Sequence, residues 1–284
     1  MTLLSQLSCP NPDPLVDVDW VQHNLSALKP VDGTWVLPND AQKLAKGALP
    51  SAVEFDLDKI ADTSSRFSHI LPSKEVFAKA VGDMGISETD TVLCYDRHGM
   101  FSAPRLWWTF KMFGHKSVYI LDGGLPAWVK AGFSVEDAFS KPNAAITYSP
   151  NMSLAKVTNL NAVKSSIGKI QTVDARPSGR YDGTSPEPRA DLRSGHIPQS
   201  LSLPFGSLKT ADGYFKPLDE LAERTGASGI DLTAPIITSC GSGITAAGLA
   251  FTFHRLGARD VSVYDGSWAE WGSSRAPVTN PSAN

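Results

Sequence analysis

The chain has 284 residues, 42 % of them hydrophobic and 19 % charged, which is typical of a globular protein with one large or two ordinary domains. Its 26 basic and 29 acidic side chains give a net charge of −3, which argues against nucleic acid or an anionic membrane as the main partner. No apolar run reaches the roughly 20 residues of a membrane span, and the first ten residues lack the features of a secretory signal. We therefore expect a cytoplasmic protein, with the mitochondrial matrix as the alternative.

The first half of the chain contains a strand–loop–helix pattern that starts at residue 90. An apolar strand at 91–95 (TVLCY) leads into a glycine-containing loop and an amphipathic helix that Gly114 closes. A short strand at 118–121 (VYIL), an Asp-Gly pair and a helix with Trp128 follow. Strands that alternate with helices at this spacing predict an α/β domain with a mainly parallel sheet.

The second half repeats this plan. When the chain is shifted by 143 residues, 90–128 falls on 233–271 without a gap. The first-copy residues that meet an identical residue are Ala103, Leu106, Thr109, Phe110, Gly114, Val118, Asp122, Gly123 and Trp128. Two earlier segments, 31–35 and 46–55, match 173–177 and 194–203 more loosely. We predict two tandem domains of one fold, residues 1–137 and 153–284, joined by a linker over 138–152.

The repeats differ at a loop that opens with Cys240. The strand PIITS (235–239) runs into Cys240-Gly241-Ser242-Gly243-Ile244-Thr245, and the ungapped alignment places Arg97 at the position of the cysteine. The carboxyl end of a parallel strand is where α/β folds place their chemistry. Small residues let successive N–H groups converge on an anion, and the helix that begins near Ile244 adds its positive end. Both effects favour a nucleophilic thiolate and would also hold a persulfide.

The other two cysteines are predicted to have no chemical role. Cys94 lies in the middle of an apolar strand, as a buried structural cysteine does, and Cys9 lies in a polar tail where we expect it to be exposed. The three cysteines form no CxxC pair and no metal-ligand spacing, which is typical of free thiols in a reducing compartment. A buried structural role is the alternative for Cys240 as well.

The tandem domains, the GHIP at 195–198, the DGG at 122–124, the DGS at 265–267 and the CGSGIT loop resemble the rhodanese superfamily. Within it, the chain is similar to the 3-mercaptopyruvate sulfurtransferases. Thiosulfate-using members carry a CRKG-type loop, whereas this chain has Gly241 and Ser242 in place of the two cations. Two cations beside the sulfur suit doubly charged thiosulfate, while a carboxylate donor needs its cation farther away.

The resemblance implies a role for five further residues. Ser242, His69 and Asp58 match a Ser–His–Asp relay that serves the sulfur of Cys240 in this family. Arg180 and Arg189 match two arginines that hold the carboxylate and carbonyl of the keto acid, a task that suits the planar guanidinium fork. The structural alternatives are a place in a solvated acidic turn for Asp58, a loop position for His69, and exposed surface positions for the two arginines.

The predicted function is sulfur transfer from 3-mercaptopyruvate through a persulfide on Cys240 to thioredoxin, a small thiol or cyanide, without a metal or organic cofactor. A thiosulfate:cyanide sulfurtransferase and a non-catalytic rhodanese-like module are the alternatives. A cysteine phosphatase with a CxxxxxR loop is disfavoured, because Ala246 stands at the position of the arginine.

Overall fold

The computed structural model describes residues 13–36, 44–142, 144–153 and 156–283, so Cys9 lies outside the described residues. The chain forms two units. The first comprises 1–63, 71–153 and 211–215, and the second comprises 64–70, 154–210 and 216–284. Each unit therefore takes one short segment from the other half of the sequence. The predicted linker and the domain limits on either side of it stay a prediction.

The first unit has a five-stranded parallel sheet in its described residues. Its strands are β1 (Leu15–Val16), β2 (Leu28–Asp32), β3 (Val53–Glu54), β4 (Thr91–Tyr95) and β5 (Val118–Leu121), in the order β1-β5-β4-β2-β3. Its helices are α1 (Val18–Asn24), α2 (Lys74–Asp83), α3 (Ala103–Met112) and α4 (Gly124–Lys130), with a 3₁₀ turn at Leu25–Ala27. All four residues of β5 are buried, as expected of a parallel strand that is covered on both faces.

The second unit repeats this architecture. Its strands are β6 (Val157–Thr158), β7 (Gln171–Asp174), β8 (Leu201–Ser202), β9 (Ile236–Ser239) and β10 (Val261–Tyr264), in the order β6-β10-β9-β7-β8. Its helices are α5 (Leu160–Ser166), α6 (Ser178–Tyr181), α7 (Leu218–Ala227), α8 (Ile244–Arg255) and α9 (Ser267–Trp271), with 3₁₀ turns at Phe205–Leu208 and Pro281–Ala283. The predicted α/β class with two tandem, mainly parallel domains is confirmed.

A buried tryptophan fixes the last helix of the sheet motif in each unit. Trp128 of α4 is 1 % exposed, and its indole N–H donates to the carbonyl of Ser134 at 2.8 Å. Trp271 of α9 is fully buried and donates to the carbonyl of Pro277 at the same distance. Buried indoles need such an acceptor, because an unpaired N–H in the core costs free energy. The sequence repeat is thus a repeat of packing and hydrogen bonding.

Candidate active site

The candidate nucleophile lies at the carboxyl end of β9, the middle strand of the second sheet. Cys240 follows the strand directly, and its Sγ accepts the N–H of Gly243 at 3.1 Å. Gly243 has a φ of 85°, which turns its amide back toward the sulfur, and α8 begins at the next residue. The side chain is 2 % exposed, so it is more deeply buried than a loop-mouth position implies.

Ser267 is a second polar group at the sulfur, and the sequence analysis did not single it out. Its hydroxyl oxygen accepts the N–H of Cys240 at 3.1 Å, lies 3.9 Å from the Cys240 sulfur and donates to the carbonyl of Tyr264 at 2.8 Å. The available signal was the repeat itself, because the DGS of the second copy has a serine where the DGG of the first copy has Gly124.

The structure corrects the position that Cys240 occupies in the first copy. The N–H of Trp268 donates to the carbonyl of Cys240, and the N–H of the matching residue, Leu125, donates to the carbonyl of Asp96, both at 2.9 Å. The pairing of β4 and β9 with their neighbours gives the same offset. Asp96, and not Arg97, therefore stands at the position of the cysteine, because the loop of the first copy is one residue longer.

The first-unit loop shows what this turn does with its N–H groups. One carboxylate oxygen of Asp96 accepts the N–H groups of Phe101, Ser102 and Ala103 at 2.7–2.8 Å, and the other accepts that of His98 at 3.0 Å. Four backbone donors thus converge on one buried anion. The same strand–turn–helix in the second unit presents a sulfur at the corresponding place, so this backbone suits a thiolate or a persulfide.

His69 and Ser242 lie together, as the resemblance implied. The Nδ1 atom of His69 is 3.1 Å from the Oγ of Ser242 and 3.3 Å from its carbonyl oxygen. Both residues are buried, and both belong to the second unit because 64–70 packs there. A carbonyl oxygen only accepts hydrogen bonds, so a proton on Nδ1 lets the ring donate to either oxygen.

Asp58 belongs to the first unit, in the turn that follows β3. Its N–H donates to a carboxylate oxygen of Asp56 at 3.0 Å, which is the geometry of an Asx turn. Its membership of the relay stays a prediction.

Arg180 lies beside the cysteine loop and carries a counter-ion. A Cβ placed on Gly241 would be 3.2 Å from the Arg180 guanidinium, so the guanidinium lies close to this glycine. The guanidinium donates to Glu187 at 2.6 Å, and the other oxygen of that buried carboxylate accepts from Arg176 at 2.8 Å. Arg176 is itself paired with Asp174 at 2.7 Å. The charge of Arg180 is therefore already balanced in the folded chain.

Arg189 lines a cavity that adjoins the same loop. Its guanidinium donates to the hydroxyl of Ser68 at 3.2 Å, one residue before His69. The cavity has a volume of about 110 Å³ and is lined by Arg66, Phe67, Ser68, Arg189, Asp191, Leu192, Ala269 and Ser273. The N–H of Ala269 donates to the carbonyl of Gly241 at 2.8 Å, which joins the cavity wall to the loop.

Ile244 and Thr245 form the start of α8. Ile244 is the first helical residue and is buried, and Thr245 is half-buried. Their N–H groups have no acceptor earlier in the helix, as is general for the first N–H groups of a helix. Contact with a substrate stays a prediction for both residues.

A family model for the rhodanese-like domain matches the chain twice, at residues 5–131 and 159–274. The chain belongs to the rhodanese family. Both copies of the rhodanese domain match, so the predicted family is confirmed together with the fold.

Individual rhodanese proteins resemble the chain over most of its length. The thiosulfate/3-mercaptopyruvate sulfurtransferase 1 of Arabidopsis thaliana, a mitochondrial protein, is 41 % identical over 91 % of this chain and 76 % of its own. The human 3-mercaptopyruvate sulfurtransferase is 35 % identical over 90 % of this chain and 91 % of its own. SseA of Escherichia coli, a 3-mercaptopyruvate sulfotransferase with the rhodanese fold, superposes with a TM-score of 0.80 at 32 % identity, covering 90 % and 98 % of the two chains. These relatives confirm the predicted sulfurtransferase function.

In the part of the chain that the structure describes, every helix is too short or too polar to cross a lipid bilayer.

Proposed function

We propose that the chain transfers sulfur from 3-mercaptopyruvate through a persulfide on Cys240 to an acceptor, with release of pyruvate. The observation that carries this proposal is the sulfur at the end of β9, which accepts the Gly243 N–H and lies beside the Ser267 hydroxyl. The absence of a lysine or arginine within residues 240–245 favours a carboxylate donor over thiosulfate. Relatives that are named for 3-mercaptopyruvate support the same choice.

The first half-reaction breaks the carbon–sulfur bond of the donor. The Cys240 thiolate attacks the donor sulfur, a sulfur–sulfur bond forms, and the electron pair of the broken bond leaves on carbon as the enolate of pyruvate. The Ser242–His69 pair, with Asp58 as its third member, supplies the proton that converts the enolate to pyruvate. General acid catalysis of this kind contributes roughly 10²–10⁴-fold.

The second half-reaction moves the outer sulfur to the acceptor. A thiol attacks the outer sulfur of Cys240-S-SH to give a new persulfide, or cyanide attacks it to give thiocyanate, and the Cys240 thiolate is regenerated. We propose thioredoxin or a small thiol as acceptor and the cytoplasm as location, with the mitochondrial matrix as the alternative.

Intact-mass analysis after incubation with 3-mercaptopyruvate tests the proposal directly. The wild-type chain is expected to gain the mass of one sulfur atom, and a reductant is expected to remove it. Cys240→Ser is expected to gain none. Cys94→Ala is the matched control, because burial raises the pKa of the Cys94 thiol and keeps it protonated. Sulfur gain by the Cys240→Ser variant would refute the proposal.

A thiosulfate sulfurtransferase is the second candidate, and the Arabidopsis relative is named for both donors. The ratio of kcat/KM for the two donors decides between them. We expect 3-mercaptopyruvate to be preferred by at least about tenfold. Its carboxylate can reach arginines outside the cysteine loop, whereas thiosulfate needs cations beside the sulfur, and residues 240–245 contain none. A ratio that favours thiosulfate would replace the proposed donor.

A further inference from the structure

An ion-pair network of four side chains in the second unit ends at the cysteine loop. It begins at Asp174, the last residue of β7, whose carboxylate binds the guanidinium of Arg176 at 2.7 Å. Arg176 donates to one carboxylate oxygen of Glu187 at 2.8 Å, and Arg180 donates to the other at 2.6 Å. The guanidinium of Arg180 lies 3.2 Å from a Cβ placed on Gly241. Two carboxylates and two guanidiniums leave this network without net charge.

Glu187 is the member that joins the two arginines. Its side chain is 2 % exposed, and Nε of Arg180 adds a further contact to it at 3.2 Å. A carboxylate this close to a guanidinium cancels most of the guanidinium's field at larger distances, and burial leaves little water to screen either charge. The loop beside Arg180, residues 240–245, has no charged side chain. The electrostatic potential that a donor meets at this part of the loop therefore depends on Glu187.

The two candidate donors differ in the charge that they bring to the loop. Thiosulfate is a dianion whose charge lies next to the transferred sulfur. The carboxylate of 3-mercaptopyruvate carries a single charge, which two carbon atoms separate from the sulfur. A change in potential acts about twice as strongly on a dianion as on a monoanion. If Glu187 lost its charge, the guanidinium of Arg180 would be uncompensated beside Gly241, and thiosulfate would gain more from this than 3-mercaptopyruvate.

We propose that Glu187 is a specificity-determining residue, which disfavours dianionic donors by neutralising Arg180 beside the cysteine loop. Glu187 acts through the charge of Arg180 and needs no contact with the donor. This inference rests on the proposed function, because it concerns the choice of donor at that site. It holds whichever arginine binds the carboxylate of the donor.

Steady-state kinetics of Glu187→Gln with each donor, and with cyanide as the acceptor, test the proposal. Glutamine keeps the shape of glutamate without its charge, and Arg176 keeps Asp174 and the carbonyl of Gly195 as acceptors. The ratio of kcat/KM for thiosulfate to kcat/KM for 3-mercaptopyruvate is expected to rise about fivefold. KM for thiosulfate is expected to fall with kcat changed less than about twofold, a gain that damage to the fold would not produce.

Two further variants are the controls. Glu187→Asp keeps the charge on a shorter side chain and is expected to keep the donor ratio within about twofold of the wild-type value. Glu223→Gln makes the same chemical change at an exposed position on α7 and is expected to leave the ratio unchanged.

Thermal unfolding with and without sulfate gives a second measurement, which a destabilised variant still allows. Sulfate is a dianion without a transferable sulfur, and a ligand that binds the folded chain raises Tm. The rise in Tm is expected to be larger for Glu187→Gln than for Glu223→Gln, which reports the general effect of the salt.

A donor ratio that stays at the wild-type value in Glu187→Gln would overturn the proposal, and so would an equal rise in Tm for the two glutamine variants. A change in Glu187→Asp as large as that in Glu187→Gln would also overturn it, because the effect would then come from packing and not from charge. The proposed function fails separately, if the wild-type chain forms no persulfide from 3-mercaptopyruvate while sulfate still stabilises Glu187→Gln more than its control.

Discussion

At the scale of single residues, one serine shows how a repeat is adapted for chemistry. Ser267 and its first-copy equivalent Gly124 both have left-handed backbones, with φ of 48° and 57°. A Cβ on Gly124 would lie 2.4 Å from the carbonyl oxygen of Asp96, so the first copy admits only glycine there. The second copy accepts the strain of a side chain in this conformation, about 1–2 kcal/mol, and gains a hydroxyl beside the sulfur.

We predict that Ser267→Ala and Ser267→Gly both slow persulfide formation about tenfold, because each removes the hydroxyl that positions Cys240. Ser267→Gly is expected to be more stable than Ser267→Ala by about 1 kcal/mol, since glycine adopts the left-handed conformation without strain. Single-turnover kinetics and urea unfolding measure the two effects. An alanine variant as stable as the glycine variant would contradict the strain argument.

At the scale of elements, the turn between the central strand and the following helix has two uses. In the first unit it binds its own carboxylate, Asp96, and in the second it presents Cys240. The first-unit turn is thus closed by an internal anion. The stability of this turn depends on the carboxylate, because the four converging N–H groups have it as their acceptor.

We predict that Asp96→Ala lowers the free energy of unfolding by about 3 kcal/mol, since it leaves buried N–H groups without an acceptor. Asp219→Asn, at an exposed position in the first turn of α7, is the control and is expected to cost less than about 0.5 kcal/mol. Urea unfolding measures both. A loss below about 1 kcal/mol for Asp96→Ala would show that water replaces the carboxylate.

At the scale of the whole molecule, a buried histidine couples stability to pH. His115 is 2 % exposed, and its Nε2 donates to the carbonyl of Asp90 at 2.9 Å. Its Nδ1 therefore accepts from the hydroxyl of Tyr148 at 3.0 Å, which joins two segments of the first unit. Burial lowers the pKa of His115 below 6.5, with a smaller contribution from Lys111 and an opposing one from the Asp90 carbonyl.

The sign of the pH effect follows from that lowered pKa. Below pH 6.5 the unfolded chain binds a proton at this site before the folded chain does, so stability falls as the pH drops from 6.5 toward the folded pKa. The loss is at most about 1.4 kcal/mol per pH unit. We predict that His115→Gln removes this contribution, which urea unfolding between pH 7.5 and pH 5.5 measures. If the free energy of unfolding of this variant changes with pH as that of the wild type does, other groups cause the effect.

The sequence led to the family, the parallel α/β fold and the sulfurtransferase function, and the comparisons confirm all three. It also led to the pair that the structure brings together, His69 and Ser242, through the resemblance and not through spacing. It missed Ser267, and the ungapped alignment assigned to Arg97 the position that Asp96 occupies. The two errors have different causes: an ungapped alignment cannot show a one-residue difference in loop length, and spacing along the chain cannot show which side chains lie together in space.

What the sequence by itself determined is periodic and local: which segments form strands and helices, and that the two halves follow one plan. Hydrophobic periodicity and turn residues act over a few neighbouring positions, so the sequence alone shows them. Only the tertiary structure decided which charges are paired. Arg180 forms an ion pair with Glu187, whereas Arg66 hydrogen-bonds to the neutral hydroxyl of Ser273, 207 residues away in the chain. Sequence cannot show this, because Coulomb and hydrogen-bond energies depend on distance in space.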